Sequence, residues 1–154
     1  MTILALETTD KVASVALLTD SGLLEKRIES PLRHEETVMP AVDELLAEAG
    51  LTPADLTALA VDVGPGSFTG VRIGVCHGNA MAMALDLPIV PVNALEALAY
   101  PLLGGSAPVA AVIDARNGNG NAYARWGSFM PFDAAAQRDG STGRRLRIRF
   151  QTIV

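Results

Sequence analysis

Ile3-Leu4-Ala5-Leu6-Glu7-Thr8-Thr9-Asp10-Lys11 sets the topology of the first half of the chain. An apolar run ends there in a polar turn over residues 7–11. Val12 to Thr19 follows, apolar and rich in β-branched side chains. Asp20-Ser21-Gly22 is a strong turn signal, and Leu23 to Ser30 alternates well enough for a third strand. Three strands joined by such short turns predict an antiparallel meander with the first strand central.

Pro31 breaks the pattern and a helical period begins near His34. Val38, Val42, Leu45, Leu46 and Ala49 fall on one face, with Glu44 and Glu48 on another, and Gly50 supplies the stop. Pro40 lies inside this segment and predicts either a kink or a later start. Thr52-Pro53-Ala54-Asp55 reads as an N-cap, a proline at the first helical position and an acidic third residue, enough for one short turn. Leu59 to Val63 is a buried strand that runs into Gly64-Pro65-Gly66-Ser67-Phe68-Thr69-Gly70 and then into a helix from about Val71 to Leu85. Ile89 to Val92 is a short fifth strand, and Asn93-Ala94-Leu95-Glu96 opens a third helix reaching about Tyr100. Gly104-Gly105-Ser106 reads as a linker, Val109 to Asp114 as a strand, and Ala122 to Trp126 as a returning strand after a turn. The order predicts an α/β fold, a mixed sheet with helices on both faces, followed by the opening of a second copy of the same plan.

Composition sets outer limits. Of 154 residues, 49% are hydrophobic and 19% charged, with a formal net charge of −5, which excludes an intrinsically disordered chain. No run approaches the roughly 18–20 apolar residues that span a bilayer, and the first residues lack the basic region of a signal peptide. The single cysteine, Cys76, forms no disulfide framework and holds no structural zinc by itself. The expectation is a cytoplasmic protein without membrane contact. Charge is uneven: residues 1–126 carry 7 basic and 15 acidic side chains, whereas residues 127–154 carry 5 arginines and 2 acids. The acidic body offers no broad footprint for nucleic acid.

The loop from Gly64 to Gly70 is the most informative local feature. It joins a buried strand to a helix start, where backbone N–H groups and the helix dipole favour anions. It is no Walker A loop, because no Lys-Ser or Lys-Thr pair follows Gly70. Two readings stand: a structural turn, or a contact for a phosphate or a partner. Glu7, backed by Thr8 and Thr9, is the second candidate; the alternatives are a nucleotide-facing carboxylate and a plain β-turn. His34 and His77 are 43 positions apart, so no short-spaced histidine pair points to a metal. Cys76 reads as a small buried hydrophobe, and Asp114-Ala115-Arg116 as a local salt bridge or a site. No nucleophilic triad can be assembled. The two long helices, through Val38-Met39 with Val42 and through Ala80 to Leu85, carry more apolar surface than a small sheet needs, which hints at a partner.

Taken together, the residues resemble a known family. Ile3 to Thr9 with Ser14-Val15-Ala16-Leu17-Leu18 is similar to the opening of the TsaB (YeaZ) family, and Gly64 to Val75 is similar to its most specific signature. Asn93 to Ala99 and Ile113 to Arg116 follow in the expected order, so the resemblance covers residues 1–116 and fades by Trp126. It implies an ASKHA fold, the ribonuclease-H-like architecture shared with actin and sugar kinases. It also implies a non-catalytic scaffold with no metal site, which binds and activates TsaD, alongside TsaE, for N6-threonylcarbamoyladenosine formation at position 37 of tRNAs reading ANN codons. Transfer RNA would be met indirectly through the complex, and a homodimer is the other implied assembly. No cofactor is required of this chain, with at most weak ATP or ADP binding in the complex. The nucleotide-side loop would be Glu7, Thr8, Thr9, Gly64, Pro65, Gly66, Ser67 and Gly70. The partner interface would fall on Val38, Met39, Val42, Leu45, Leu46, Met81 and Met83.

The departures matter as well. The family's turn after Asp-Ala-Arg is shorter than Asn117 to Tyr123, and beyond Trp126 the composition turns to Gly, Ser and Arg without a credible sheet. The expected division is a first domain over 1–103, the start of a second over 109–126, and an altered or frameshifted arginine-rich tail over 127–154. The alternative function is an ATP-binding ASKHA enzyme or an M22-like peptidase with its own activity.

Overall fold

The computed structural model describes residues 1–28, 34–102, 109–114, 120–125 and 132–133. Three strands, β1 (Ile3–Glu7), β2 (Ala13–Thr19) and β3 (Gly22–Ile28), form the meander. Helix α1 (His34–Glu48), strand β4 (Ala58–Asp62), helix α2 (Phe68–Leu85) and strand β5 (Ile89–Val92) complete a five-stranded sheet of order β3-β2-β1-β4-β5. The first strand is central as expected, antiparallel to β2 and parallel to β4.

Register explains the core. Leu4 faces Leu17 across one side of β1 and Leu59 across the other, and Leu6 likewise faces Val15 and Val61. Side chains alternate along a strand, so these six share one face of the sheet. All are at most 1% exposed. Each such burial is worth about 1.5–3 kcal/mol against leaving the side chain in water. Helix α1 covers the β2–β3 half with Val38, Ala41, Val42, Leu45 and Leu46, and α2 covers the β1–β4 half with Met81.

Both long helices therefore lie on one face of the sheet, packed into the same core. The opposite face of the described sheet carries the other half of each strand's alternation: half-buried Ile3, Ala5, Ala16 and Ala60, with Leu18 and Val90 exposed. Helix α3 (Ala94–Ala99) packs on β6 (Val109–Asp114), with Leu95, Ala99 and Ala111 forming a separate apolar cluster. Strand β6 pairs with β7 (Gly120–Arg125), and β7 with β8 (Phe132–Asp133), in a second sheet. The short β8 lies in the stretch expected to hold no sheet. Backbone groups on the free edge of β7 pair with any extended segment, whatever its side chains.

Helix ends follow the sequence signals. Pro40 sits within α1, which begins at His34 without the later start considered. Gly50, at φ +67°, ends it with Leu51 N–H donating to Leu46 C=O and Gly50 N–H to Ala47 C=O. The turn at Pro53–Asp55 forms, its Asp55 carboxylate accepting from the Thr52 N–H and hydroxyl, both at 2.8 Å. The sheet's two edges are blunted, β3 by Glu25, Lys26 and Arg27, with Lys26 paired to Glu44, and β5 by Pro91. The linker at residues 104–106, Arg116 of the Asp114–Arg116 pair and the arginines of the tail fall outside the described residues.

Candidate functional site

Strands β1 and β4 run parallel and end side by side, so the turn after Glu7 and the loop after Asp62 leave the sheet together. Glu7 Oε1 collects three donors from that turn: Thr9 N–H at 2.6 Å, the Thr9 hydroxyl at 2.8 Å and Asp10 N–H at 3.2 Å. Thr8 and Thr9 are buried, at 1% and 6% exposure. The Thr8 hydroxyl donates to Gly70 C=O at 2.7 Å, and Ser67 N–H donates to Thr9 C=O at 2.7 Å. Ser67 also caps α2, its hydroxyl accepting from Gly70 N–H. Through these contacts Glu7, Thr8, Thr9, Ser67 and Gly70 come together; Gly66 lies against Thr9, Gly64 N–H donates to Asp62, and Pro65 follows Gly64 through a cis peptide bond.

The glycines are demanded by close approach. A Cβ on Gly70 would lie 1.9 Å from the Thr8 carbonyl oxygen, and one on Gly66 would lie 2.6 Å from Thr9 Cβ. The same holds along α2, where a Cβ on Gly74 would meet the Thr8 hydroxyl at 2.5 Å and one on Gly78 would meet Val61 Cγ2 at 2.4 Å. Gly70, Gly74 and Gly78 thus line one stripe of α2, letting the helix lie directly on the ends of β1 and β4. Sequence reading missed Gly74 and Gly78, although their four-residue spacing from Gly70 was there to see.

Asp62 was also missed. Its signal was a lone carboxylate in the apolar run Leu59-Ala60-Val61-Asp62-Val63. It is 8% exposed, its Oδ1 accepts from Gly64 N–H at 2.7 Å, and its Oδ2 lies 3.2 Å from the Thr9 hydroxyl. Burial pushes the Asp62 carboxyl above the ordinary carboxylate range, opposed by the hydrogen bonds from Gly64 N–H and the Thr9 hydroxyl. Among the described residues no group of three histidine, cysteine or acidic side chains is placed to hold a metal ion. His77 Nδ1 is occupied by Ile73 C=O at 2.8 Å.

The helix residues expected at a partner surface divide. Val38, Val42, Leu45 and Leu46 are 0–2% exposed because α1 turns that stripe onto its own sheet, so they are corrected from interface to core. Met81 is 9% exposed and Met39 half-buried, both packed on the same core, whereas Met83 stands 85% exposed. Phe68 is 77% exposed, with the Arg72 guanidinium 5.5 Å from its ring centre. Cys76 is exposed as well, a correction to its reading as a buried hydrophobe. Phe68, Arg72, Cys76, Asn79 and Met83 recur at helical spacing on the side of α2 opposite its glycine stripe.

Residues 28–138 match the family model described as TsaD, tRNA N6-adenosine threonylcarbamoyltransferase. The tRNA threonylcarbamoyladenosine biosynthesis protein TsaB of Bacillus subtilis is 39% identical over 119 residues, 77% of this chain and 52% of that protein. The Escherichia coli protein of the same name is 39% identical over 121 residues, again 77% of this chain and 52% of its own length. A solved structure of YeaZ from Pseudomonas aeruginosa superposes with a TM-score of 0.71 at 37% identity, covering 80% of this chain and 58% of that one. The chain spans about half the length of the curated relatives it matches. Its mixed sheet with α1, α2 and the Gly64–Gly70 loop is the TsaD-type, ASKHA-like fold, and the chain belongs to the TsaB (YeaZ) family.

Proposed function

We propose that this chain serves threonylcarbamoyladenosine biosynthesis as a non-catalytic scaffold, docking on and activating a TsaD-type transferase that works with TsaE. The tRNA would be met through that complex, at position 37 of tRNAs reading ANN codons. The observation that carries the reading is the construction of α2. Its inner stripe is glycine and locked onto the sheet, while its outer stripe sets out Phe68, Arg72 and Met83 with nothing of the described chain across them. An aromatic, an arginine and a methionine on one rigid helix face are the side chains that anchor protein interfaces. The similarity to proteins named TsaB supplies the process, and the outward stripe supplies the means.

The Glu7–Gly70 cluster fits a supporting role in this reading. Its threonine hydroxyls and several of its amides already donate within the cluster, to the Glu7 and Asp62 carboxylates, Gly70 C=O and the Ser67 hydroxyl, an arrangement that holds a loop in shape and disfavours a phosphate. ATP or ADP would then bind weakly at most and within the complex, and the scaffold would act in the cytoplasm. Reconstitution tests the proposal: TsaD, TsaE and the threonylcarbamoyl-adenylate donor are mixed with substrate tRNA, with and without this chain. Modified adenosine forming only when the chain is present supports it. Equal formation without the chain, or formation without TsaD, refutes it. Calorimetry of the chain alone with ATP and Mg²⁺ addresses the enzyme alternative, and no measurable heat is expected.

A further inference from the structure

The Thr9 hydroxyl stands between two carboxylates, 2.8 Å from Glu7 Oε1 and 3.2 Å from Asp62 Oδ2. A hydroxyl has one hydrogen to give, so it cannot donate to both at once. The shorter contact, to Glu7, takes it. Two oxygens without a hydrogen between them would then face each other at 3.2 Å inside a buried site, which is unfavourable. A proton on Asp62 removes the conflict. Asp62 is the member able to hold it on Oδ2, because its Oδ1 already accepts from Gly64 N–H, while Glu7 Oε1 is filled by backbone donors.

We propose that Asp62 Oδ2–H donates to the Thr9 hydroxyl, which donates to Glu7, making Asp62–Thr9–Glu7 a proton-dependent latch between the β1–β2 turn and the Gly64–Gly70 loop. The latch rests on this local geometry and is independent of the scaffold reading. When Asp62 releases its proton to solvent, the single Thr9 hydrogen serves one carboxylate only, and the two negative charges push turn and loop apart. Little else nearby titrates. From the turn come the exposed Asp10 and Lys11. From α2 come Arg72, lying over Phe68, the exposed Cys76 and His77, held by Ile73; from α3 comes the exposed Glu96. Strands β2 and β5 and the loop residues 64–70 contribute no ionisable side chain. Among the described residues, none of the salt bridges reaches Glu7 or Asp62. The raised affinity of Asp62 for its proton, caused by burial, agrees with this assignment.

Carbon-13 NMR of the Asp62 carboxyl in the full chain tests the latch. The expected result is a titration midpoint above the ordinary aspartate value of 3.8, with the Thr9, Gly64 and Ser67 amide signals shifting at the same midpoint. A proton held more tightly in the folded than in the unfolded chain gives stability that falls as pH rises through the folded midpoint. Asp62→Asn keeps an acceptor for Gly64 and a donor for Thr9, so its melting temperature should lose this decline and equal or exceed that of the unsubstituted chain at pH 8. A carboxyl titrating in the ordinary range, or amide signals that ignore its titration, overturns the proposal. So does an Asp62→Asn variant that melts lower at pH 8 with the decline intact.

Discussion

Gly70 shows how much a single side chain decides in this molecule. Its hydrogen takes the place of a Cβ that would sit 1.9 Å from the Thr8 carbonyl oxygen, a backbone atom that cannot swing away. Gly70→Ala is expected to destabilise the chain by about 3 kcal/mol, the upper range for overpacking a tight contact. Asn79→Ala, on the exposed side of the same helix, should stay within about 0.5 kcal/mol. Urea denaturation measures both, and equal midpoints would contradict the close-packing account. The glycine loop was legible in the sequence because three glycines in seven residues between a strand and a helix have few other uses. Asp62 was not, because a carboxylate at a strand end is ordinarily solvated. Only the fold reveals that β1 brings Thr9 over it.

At the scale of elements, the two long helices have opposite uses, and hydrophobic period alone could not separate them. Helix α1 has one broad apolar stripe, and the sheet consumes all of it. Val42 is 1% exposed, so Val42→Arg is expected to unfold the chain, costing about 4 kcal/mol or more for an unpaired buried charge. Any loss of partner binding in that variant would report folding, and circular dichroism would show it directly. Helix α2 is apolar around much of its circumference, but glycine lets its inner side pack through backbone. Methionine and phenylalanine are thereby left outside. Met83→Arg should accordingly leave the melting temperature unchanged within error. Strand order was readable from short turns and β-branched runs. The placement of both helices on one face was not, since alternating strands such as β1 and β2 look alike whether a helix or solvent meets their second face.

Over the whole molecule, one five-stranded sheet carries a packed helical layer on one side, and a second, smaller sheet gathers around α3. The meander, the crossover helices and the family were legible from residues 1–116, because their motifs stand in order and each has a local physical cause. Beyond Trp126 local pattern fails, and β8 forms through backbone pairing that no side-chain period announces. The working surface proposed for the scaffold lies on the outer side of α2, outside the core, and starts at Phe68. The affinity of the chain for a purified TsaD-type transferase, measured by calorimetry for the unsubstituted chain and for Phe68→Arg and Met83→Arg, tests this most directly. Both variants are expected to fold and to bind at least about tenfold more weakly, a loss of roughly 1.4 kcal/mol each. Undiminished affinity in both variants would contradict it.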